Sequence, residues 1–218
     1  GVEGDVGMKF KNLNSVAKII AGQSPPSTTY NAMGEGLPFF QGKADFQEKF
    51  PKVRSWCTSK KKKEALPGDI LMSVRAPVGP VNLCNQRAVI GRGLCAIRPL
   101  EGAHGDYLYF FLKSNEQKIA GLGTGSTFKA ITQETIGKIQ VPLPPLEDQI
   151  RIATLLSRVE ALITTRKDNL RLLDEFLKST FLEMFGDPVR NERGWDTTPF
   201  SEIGQFFSGG TPSKKRED

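Results

Sequence analysis

The sequence has one histidine and three cysteines, and these small numbers exclude several kinds of site. The cysteines, Cys57, Cys84 and Cys95, are odd in number and show no CxxC spacing, so neither a disulfide framework nor a zinc site is predicted. His104 stands in the stretch EGAHGD, which is more typical of a surface loop than of a catalytic pair. We therefore expect buried, reduced thiols, no metal site and no histidine chemistry.

Long apolar runs are also absent. No stretch reaches the roughly 18 residues that a membrane span needs, and the sequence does not open on the charged-then-apolar order of a secretory signal. We expect a cytoplasmic protein with no membrane partner. Thirty Lys and Arg against 24 Asp and Glu give a net charge of +6, which permits a nucleic-acid partner without requiring one.

Short apolar runs punctuated by Gly and Pro fill the chain from about Phe10 to Pro142. Examples are VAKIIAG, GDILMSV, VNLC, RAVIGRGLCAIRP and KIQVPLP, whose lengths are typical of strands. Helical spacing interrupts them at 106–122, and long loops are predicted at about 23–63. The predicted fold class is therefore α+β, a mixed and β-rich domain followed by a long coiled-coil α-helix.

That long helix is predicted from the Pro144-Pro145 pair to Gly186. The prolines fit its first turn, where no N–H donor is needed, and Glu147 with Asp148 places negative charge beside the positive helix end. Apolar residues then recur at coiled-coil spacing. The predicted dimerisation residues are Ile152, Leu156, Val159, Ile163, Leu170, Leu173, Leu177 and Met184. A helix of about 57 Å extends beyond a domain with a radius of gyration near 14 Å, so we expect it to need a second helix.

A copy of an early segment begins near the end of the sequence. FSEIGQFFSGGTPS at 200–213 aligns with LNSVAKIIAGQSPP at 13–26 at a constant offset of 187 residues, which predicts an internal repeat. The expected organisation is a flexible leader at 1–8, a first domain at 9–144, a helix at 145–186 and the truncated start of a second domain at 187–218.

A series of stretches resembles the specificity subunit of type I restriction-modification systems, in the order that this family shows. They are AGQSPPSTTY (21–30), GLPFFQGKADF (36–46), PGDILMSVRAPVG (67–79), IGRGLCAIRP (90–99), YLYFFL (107–112), GTGSTFKAI (123–131) and VPLPPLEDQIRIATLLSRVEALI (141–163). The resemblance implies a non-catalytic target recognition domain that reads a DNA half-site, followed by a spacer helix that sets the distance to a second such domain.

The resemblance also implies partners. A modification subunit would methylate adenine with S-adenosylmethionine, and a restriction subunit would use ATP and Mg to cleave DNA, so no cofactor is expected in this chain. The spacer helix, at 150–162 first of all, is the implied docking surface for the modification subunit. Because the sequence ends soon after its second half begins, we expect a half-subunit that forms a homodimer through the helix and reads a bipartite palindromic site.

Candidate DNA contacts lie in basic and glycine-flanked segments. Lysines, including Lys49, suit phosphate attraction, whereas Gln and Arg beside turns suit base edges. The stretch GTGSTFKAI suits a backbone contact or a structural loop. The predicted DNA-binding residues are Gln41, Lys43, Lys52, Arg54, Lys60, Lys61, Lys62, Lys63, Arg75, Arg92, Thr124, Ser126 and Lys129.

Other functions fit the sequence less well. Asp106, Glu116 and Lys118 imitate a nuclease pattern, but helical spacing points the last two in different directions. GLGTGS lacks a Walker lysine, and no Asn-Pro-Pro-aromatic element of an adenine methyltransferase is present. The alternative to DNA reading is a coiled-coil interaction module with an incidental basic domain, and a weaker one is a stand-alone modification or restriction enzyme.

Overall fold

The computed structural model describes residues 9–124 and 130–210. The strands are β1 (Phe10–Asn12), β2 (Ala17–Ala21), β3 (Tyr30–Asn31), β4 (Leu37–Phe40), β5 (Trp56–Cys57), β6 (Glu64–Ala65), β7 (Ile70–Ser73), β8 (Val81–Leu83), β9 (Ala88–Ile90), β10 (Leu94–Pro99) and β11 (Gln140–Pro142). The α-helices are α1 (Leu13–Val16), α2 (Gly105–Ser114), α3 (Glu116–Gly121), α4 (Gln133–Gly137), α5 (Leu146–Phe185) and α6 (Phe200–Ile203). The chain divides into two compact units, one up to Glu160 and one from Ala161.

An antiparallel sheet with strand order β2-β10-β7-β8 forms the centre of the first unit. Alternate residues of β7 point into different core clusters. Ile70 and Met72 pack in a cluster with Leu108 of α2, whereas Leu71 packs in another with Phe40 of β4. The sheet is therefore buried on both faces, which accounts for the continuous apolar runs in its strands. The predicted α+β class is confirmed.

A second, mixed sheet has the strand order β3-β5-β4-β9-β6 and covers one face of the first. Its β4 and β9 run parallel, with Phe39 opposite Val89 and Phe40 opposite Ile90. Three of its strands, β3, β4 and β5, lie within 23–63, where long loops are predicted, so that prediction is wrong in part. These strands have two to four residues, too few for a period to show in the sequence.

The helix predicted at 106–122 is two helices, α2 and α3, with a break at Asn115. The Asn115 side-chain amide donates to the carbonyl oxygen of Phe111 at 2.8 Å, and its backbone leaves the helical region at φ −107° and ψ 11°. A side chain that hydrogen-bonds to the preceding turn competes with the helical backbone pattern. The single-helix prediction is therefore corrected to two short helices.

The long helix α5 has 40 residues and confirms the predicted helix. It begins just after the two prolines, not with them in its first turn, and the carbonyl oxygen of Pro145 accepts from the N–H groups of Asp148 and Gln149. It ends where Gly186 adopts a positive φ of 79° and donates its N–H to Leu182. Glycine adopts this left-handed conformation without steric cost.

The proposed internal repeat has a counterpart in backbone geometry. Leu13 opens α1 and Phe200 opens α6, each preceded by a residue with φ near −60° and ψ near 140°. Each helix is closed by an N–H group that donates to the carbonyl of its first residue. Leu13 is buried whereas Phe200 is 73% exposed, and residues 161–210 form no strand that could cover it. The match supports the repeat, and the division into four segments stays a prediction.

Two expectations that rest on what the sequence lacks can be compared with the structure. Cys57, Cys84 and Cys95 are all free and buried, as expected. Over residues 9–124 and 130–210, no helix is both long and apolar enough to cross a membrane.

Candidate nucleic-acid interface

Four of the predicted DNA-binding residues line one cleft of about 290 Å³ in the first unit. They are Gln41, Lys43, Arg75 and Arg92, and we call this cleft the arginine cleft. Its remaining wall consists of small residues, which leave the four longer side chains room to reach a ligand. The lining small residues are Ser24, Gly42, Ser73, Ala76 and Gly93.

Strand pairing explains why these residues meet. Because β4 and β9 are parallel, their ends lie at the same edge, and Gln41 and Arg92 follow those ends within two residues. The antiparallel register of β7 and β10 places Ser73 opposite Leu94, so Arg75 leaves β7 where Arg92 enters β10. The sheets therefore bring together loops that are far apart in the sequence.

The floor of the cleft is held by backbone contacts around Arg92. Its N–H donates to Ser24 Oγ at 3.2 Å, and the neighbouring Gly91 donates to the carbonyl of Phe40 at 2.8 Å. A β-carbon at Gly93 would lie 2.3 Å from the carbonyl oxygen of Gln41, a distance that no side chain tolerates. The glycines beside Arg92 thus allow the two loops to touch through their backbones.

A buried carboxylate that the sequence analysis missed shapes the turn carrying Gln41 and Lys43. Asp45 Oδ2 accepts from the N–H of Gln41 at 2.7 Å and from that of Gly42 at 3.4 Å. Asp45 itself is buried. An Asp three residues after a glycine in a loop is a signal for such a turn, and GKAD could have been read this way.

The cleft is electropositive. Lys43, Arg75 and Arg92 are exposed, and no ion pair joins any of them to a carboxylate within residues 9–124 and 130–210. Cations that lack a protein partner are available to an anionic ligand such as a phosphate, or to the acceptors on a guanine edge.

The structure does not bring the lysine run into the cleft. Lys60, Lys61 and Lys63 are exposed around the turn that leads into β6, and Lys62 lies 3.7 Å from Glu64 in an ion pair. Lys52 and Arg54 are exposed on the segment between β4 and β5 and also lie outside the cleft lining.

Of the glycine-rich stretch 123–131, the structure describes residues 123–124 and 130–131. Thr124 and Ala130 exchange hydrogen bonds of 2.9 Å, and Ala130 also bridges to Arg75. Thr124 is therefore connected through Ala130 to the cleft residue Arg75. The predicted contacts Ser126 and Lys129 fall outside the described residues.

The residues of the rejected enzyme patterns have structural roles. Glu116 Oε1 accepts from the N–H of Val81 at 3.0 Å, which ties α3 to β8. His104 lies in the loop that leads into α2, as predicted, but it is half-buried there and its N–H donates to Gln149 Oε1 at 2.8 Å. In the described part of the chain, no group of three or more His, Cys, Asp or Glu could hold a metal ion.

The predicted dimerisation residues lie uncovered along α5. Their exposed fractions range from 37% at Ile152 and Leu156 to 66% at Leu177. Large apolar side chains that are this exposed are uncommon on monomeric proteins when they form a continuous set.

The first unit thus carries a cleft lined by exposed cations, and the long helix α5 begins in that unit. A family model described as the type I restriction modification DNA specificity domain matches residues 5–172. The chain therefore belongs to the family of type I restriction-modification specificity subunits, and the resemblance seen in the sequence is confirmed.

Relatives from two organisms agree with this assignment. The putative type I restriction enzyme MjaX specificity subunit of Methanocaldococcus jannaschii is 45% identical over 151 residues, which cover 69% of this chain and 35% of the relative. The MjaIX specificity subunit of the same organism is 25% identical over 91% of this chain and 52% of the relative. A putative type I specificity subunit of Mycoplasma pneumoniae is 32% identical over 47% of this chain and 29% of the relative. The names agree with the prediction of a specificity subunit, and this chain spans about half or less of each relative.

Solved structures share the fold. A chain from a study of the type I R-M system superposes with a TM-score of 0.71 at 42% identity, covering 83% of this chain and 45% of that one. The HsdS subunit from Thermoanaerobacter tengcongensis gives 0.66 at 42% identity, covering 78% and 41%. The S subunit from M. genitalium, at 20% identity and a TM-score of 0.57, supports the fold alone.

Proposed function

We propose that this chain reads a specific sequence in double-stranded DNA and directs the partner subunits of a type I restriction-modification complex to it, without catalysing a reaction itself. The observation that supports this most strongly is the arginine cleft. Strands distant in sequence deliver Gln41, Lys43, Arg75 and Arg92 to one concave, electropositive surface.

The chemistry of the cleft suits base reading. An arginine guanidinium can donate two hydrogen bonds to the O6 and N7 acceptors of guanine, and a glutamine amide can pair with adenine. Lys43 and the more distant Lys52, Arg54 and lysines 60 to 63 would contribute phosphate attraction without sequence preference. The division between Arg75 and Arg92 as base contacts and the lysines as phosphate contacts is part of the proposal.

The helix α5 would join two copies of this chain. Its predicted dimerisation residues stay exposed in the single chain, so an antiparallel partner helix would remove a large apolar area from water. Forty residues at about 1.5 Å each make a helix of about 60 Å, on the order of 18 base pairs. Two-fold symmetry would then give a bipartite, palindromic target.

The modification and restriction subunits would supply the chemistry. In this proposal a modification subunit methylates adenine with S-adenosylmethionine, and a restriction subunit cleaves with ATP and Mg. The segment 150–162 of α5 is our candidate docking surface for the modification subunit, since Ile150 and Leu155 are exposed apolar residues outside the predicted dimerisation set.

Binding to duplex DNA under changing salt tests this proposal. Fluorescence anisotropy with a pool of random duplexes should give an affinity that falls steeply with salt. For a sequence enriched from that pool by binding, Arg75→Ala and Arg92→Ala should each reduce the preference over the random pool. Lys138→Ala is the matched control, because Lys138 is an exposed cation outside the cleft, paired with Glu134 at 2.6 Å. Salt-independent or absent binding would favour the protein-interaction module instead.

A further inference from the structure

The first turns of α5 lie against the recognition domain along one face. Gln149 and Ala153 are buried, and Ser157 and Glu160 are half-buried, whereas their neighbours are mostly exposed. Steps of four, four and three residues keep these positions on one side of a helix. Ile152 and Leu156 lie three residues after Gln149 and Ala153, so this face borders the predicted dimerisation residues at the beginning of α5.

Gln149 fixes the beginning of the helix. Its side chain is fully enclosed and uses both of its ends: Oε1 accepts from the N–H of His104, and Nε2 donates to the carbonyls of Gly102 and Pro144 at 3.1 and 2.9 Å. A buried amide with all its partners in place holds a single orientation. One point of attachment, however, still allows a helix to pivot.

Glu160 provides a second attachment three turns further on. Its carboxylate accepts from Lys113 of α2 at 2.7 Å and from Lys49 at 3.2 Å, and only 25% of its side chain is exposed. Lys113 also donates to the hydroxyl of Tyr109 at 3.0 Å. The two attachments lie about 16 Å apart along the helix, at about 1.5 Å per residue.

Lys49 connects this ion cluster to the segment between β4 and β5, which supplies Gln41 and Lys43 to the arginine cleft. Its carbonyl accepts from the N–H of Leu83 in β8 at 2.8 Å, and the nearby Gln47 exchanges two hydrogen bonds with Asn82. Lys49, whose charge suits phosphate attraction, has a structural partner in Glu160.

The pKa values of Glu160 and Lys113 are both shifted in the direction that favours their charged forms. Burial by itself would raise the pKa of Glu160, but hydrogen bonds from Lys113 and Lys49 outweigh it and hold that pKa below its usual value. Burial would lower the pKa of Lys113, and the hydrogen bonds to Glu160 and Tyr109 reverse this and raise it. The ion pair between Glu160 and Lys113 is therefore fully formed near pH 7.

We infer that Glu160 is a positioning residue, which with Lys49 and Lys113 fixes the angle between the first turns of α5, residues 146–160, and the rest of the recognition domain and thereby restricts the half-site spacing that the protein accepts. The part about spacing rests on the proposed function. The part about the angle rests only on the contacts within the first unit.

The angle is tested by distances between spin labels at Lys18 on β2 and Arg158 on α5, both exposed and both in the first unit. Wild type should give one narrow distance distribution, and Glu160→Gln should broaden it, because the neutral amide loses the charge-assisted hydrogen bonds with both lysines. Glu175→Gln, which removes an exposed ion pair with Arg171 on the same helix, should leave it unchanged. An unchanged distribution in Glu160→Gln would overturn the inference.

Exchanging the charges of Glu160 and its two lysines tests whether the ion pairs, and not packing alone, hold the helix. Glu160→Lys combined with Lys49→Glu and Lys113→Glu restores attraction with the signs reversed, so it should narrow the distribution again. If it stays as broad as in Glu160→Gln, attraction between the charges does not hold the helix and the inference is wrong. Circular dichroism must show native helix content in each variant for the comparison to count.

Duplexes with two half-sites at varied separation test the consequence for DNA. Wild type should prefer one separation, and Glu160→Gln should bind separations one base pair longer or shorter nearly as well, with little change at a single half-site. Equal preference in wild type and variant would contradict the role in spacing. A wild type that binds no duplex would contradict the proposed function while leaving the spin-label result standing.

Discussion

Gly93 and Gln41 approach each other so closely that a β-carbon on Gly93 would lie 2.3 Å from the carbonyl oxygen of Gln41. This contact joins the loop of Arg92 to the loop of Gln41 and Lys43, and it sets the width of the arginine cleft. The backbone of Gly93 also accepts from Val74 at 2.9 Å, one residue before Arg75. One small residue thus positions loops from three strands.

Substituting Gly93 by Ala should therefore destabilise the protein and weaken DNA binding. The added methyl group meets backbone that cannot rotate away, and overpacking of this kind costs about 1–3 kcal/mol. Urea denaturation gives the change in the free energy of unfolding. Gly42→Ala is the control in the same cleft, because a β-carbon there meets nothing within 4 Å and its φ of −178° is extended. Equal effects of the two substitutions would refute the role of the Gly93 contact.

Arg98→Ala should be strongly destabilising. Arg98 Nε and Nη2 donate to the two oxygens of Asp69 at 2.8 Å each, and the Asp69 side chain is only 2% exposed. Removing the guanidinium leaves a buried carboxylate without its partner, which costs about 3 kcal/mol. Arg87→Ala, which breaks an exposed pair with Glu64, should change the free energy of unfolding by less than about 1 kcal/mol. Thermal unfolding of both variants measures the two changes in the free energy of unfolding.

The cysteines should be unreactive in the folded protein. Burial raises the pKa of Cys84 to about 11 and that of Cys95 to about 12. The thiolate is the reactive form, and at pH 8 it would be nearly absent at these positions as well as enclosed. A thiol reagent such as dithionitrobenzoate should not react rapidly with Cys57, Cys84 or Cys95 in native buffer. In denaturant it should react with all three. Rapid labelling of the native protein would contradict the buried core described here.

Charged substitutions on α5 should abolish self-association. Leu170→Asp with Leu177→Asp places carboxylates at two exposed dimerisation positions, so an antiparallel helix pair would bury unpaired charge. Sedimentation velocity should show a dimer for wild type and a monomer for the double variant. Ser179→Asp adds a charge on another side of the helix and should leave the dimer intact. A monomeric wild type at micromolar concentration would exclude this mode of assembly.

Sequence alone predicted the elements whose signals are local and long. The beginning and end of α5 can be predicted because 40 residues of periodic apolar spacing lie between a Pro-Pro pair and Gly186. The break at Asn115 escaped prediction because its cause is one side-chain hydrogen bond within a periodic stretch. The short strands β3, β4 and β5 escaped because their pairing is decided by tertiary contacts and not by a pattern.

The same distinction between local signals and tertiary contacts applies to the residues of the candidate site. Gln41, Arg75 and Arg92 were found because each stands beside turn residues, and the structure places them in one cleft. The lysine run is placed by the antiparallel pairing of β6 with β9, which no local signal encodes. Glu160 could not be singled out, because one acidic residue on an amphipathic helix is ordinary until its partners Lys49 and Lys113 are known.

Selection of bound duplexes from a random library by the purified chain tests the central claim most directly. We predict enrichment of one motif with two halves related by two-fold symmetry and separated by a fixed gap. Enrichment of a single undivided half-site, or no enrichment at all, would contradict the account of two recognition domains held apart by paired helices.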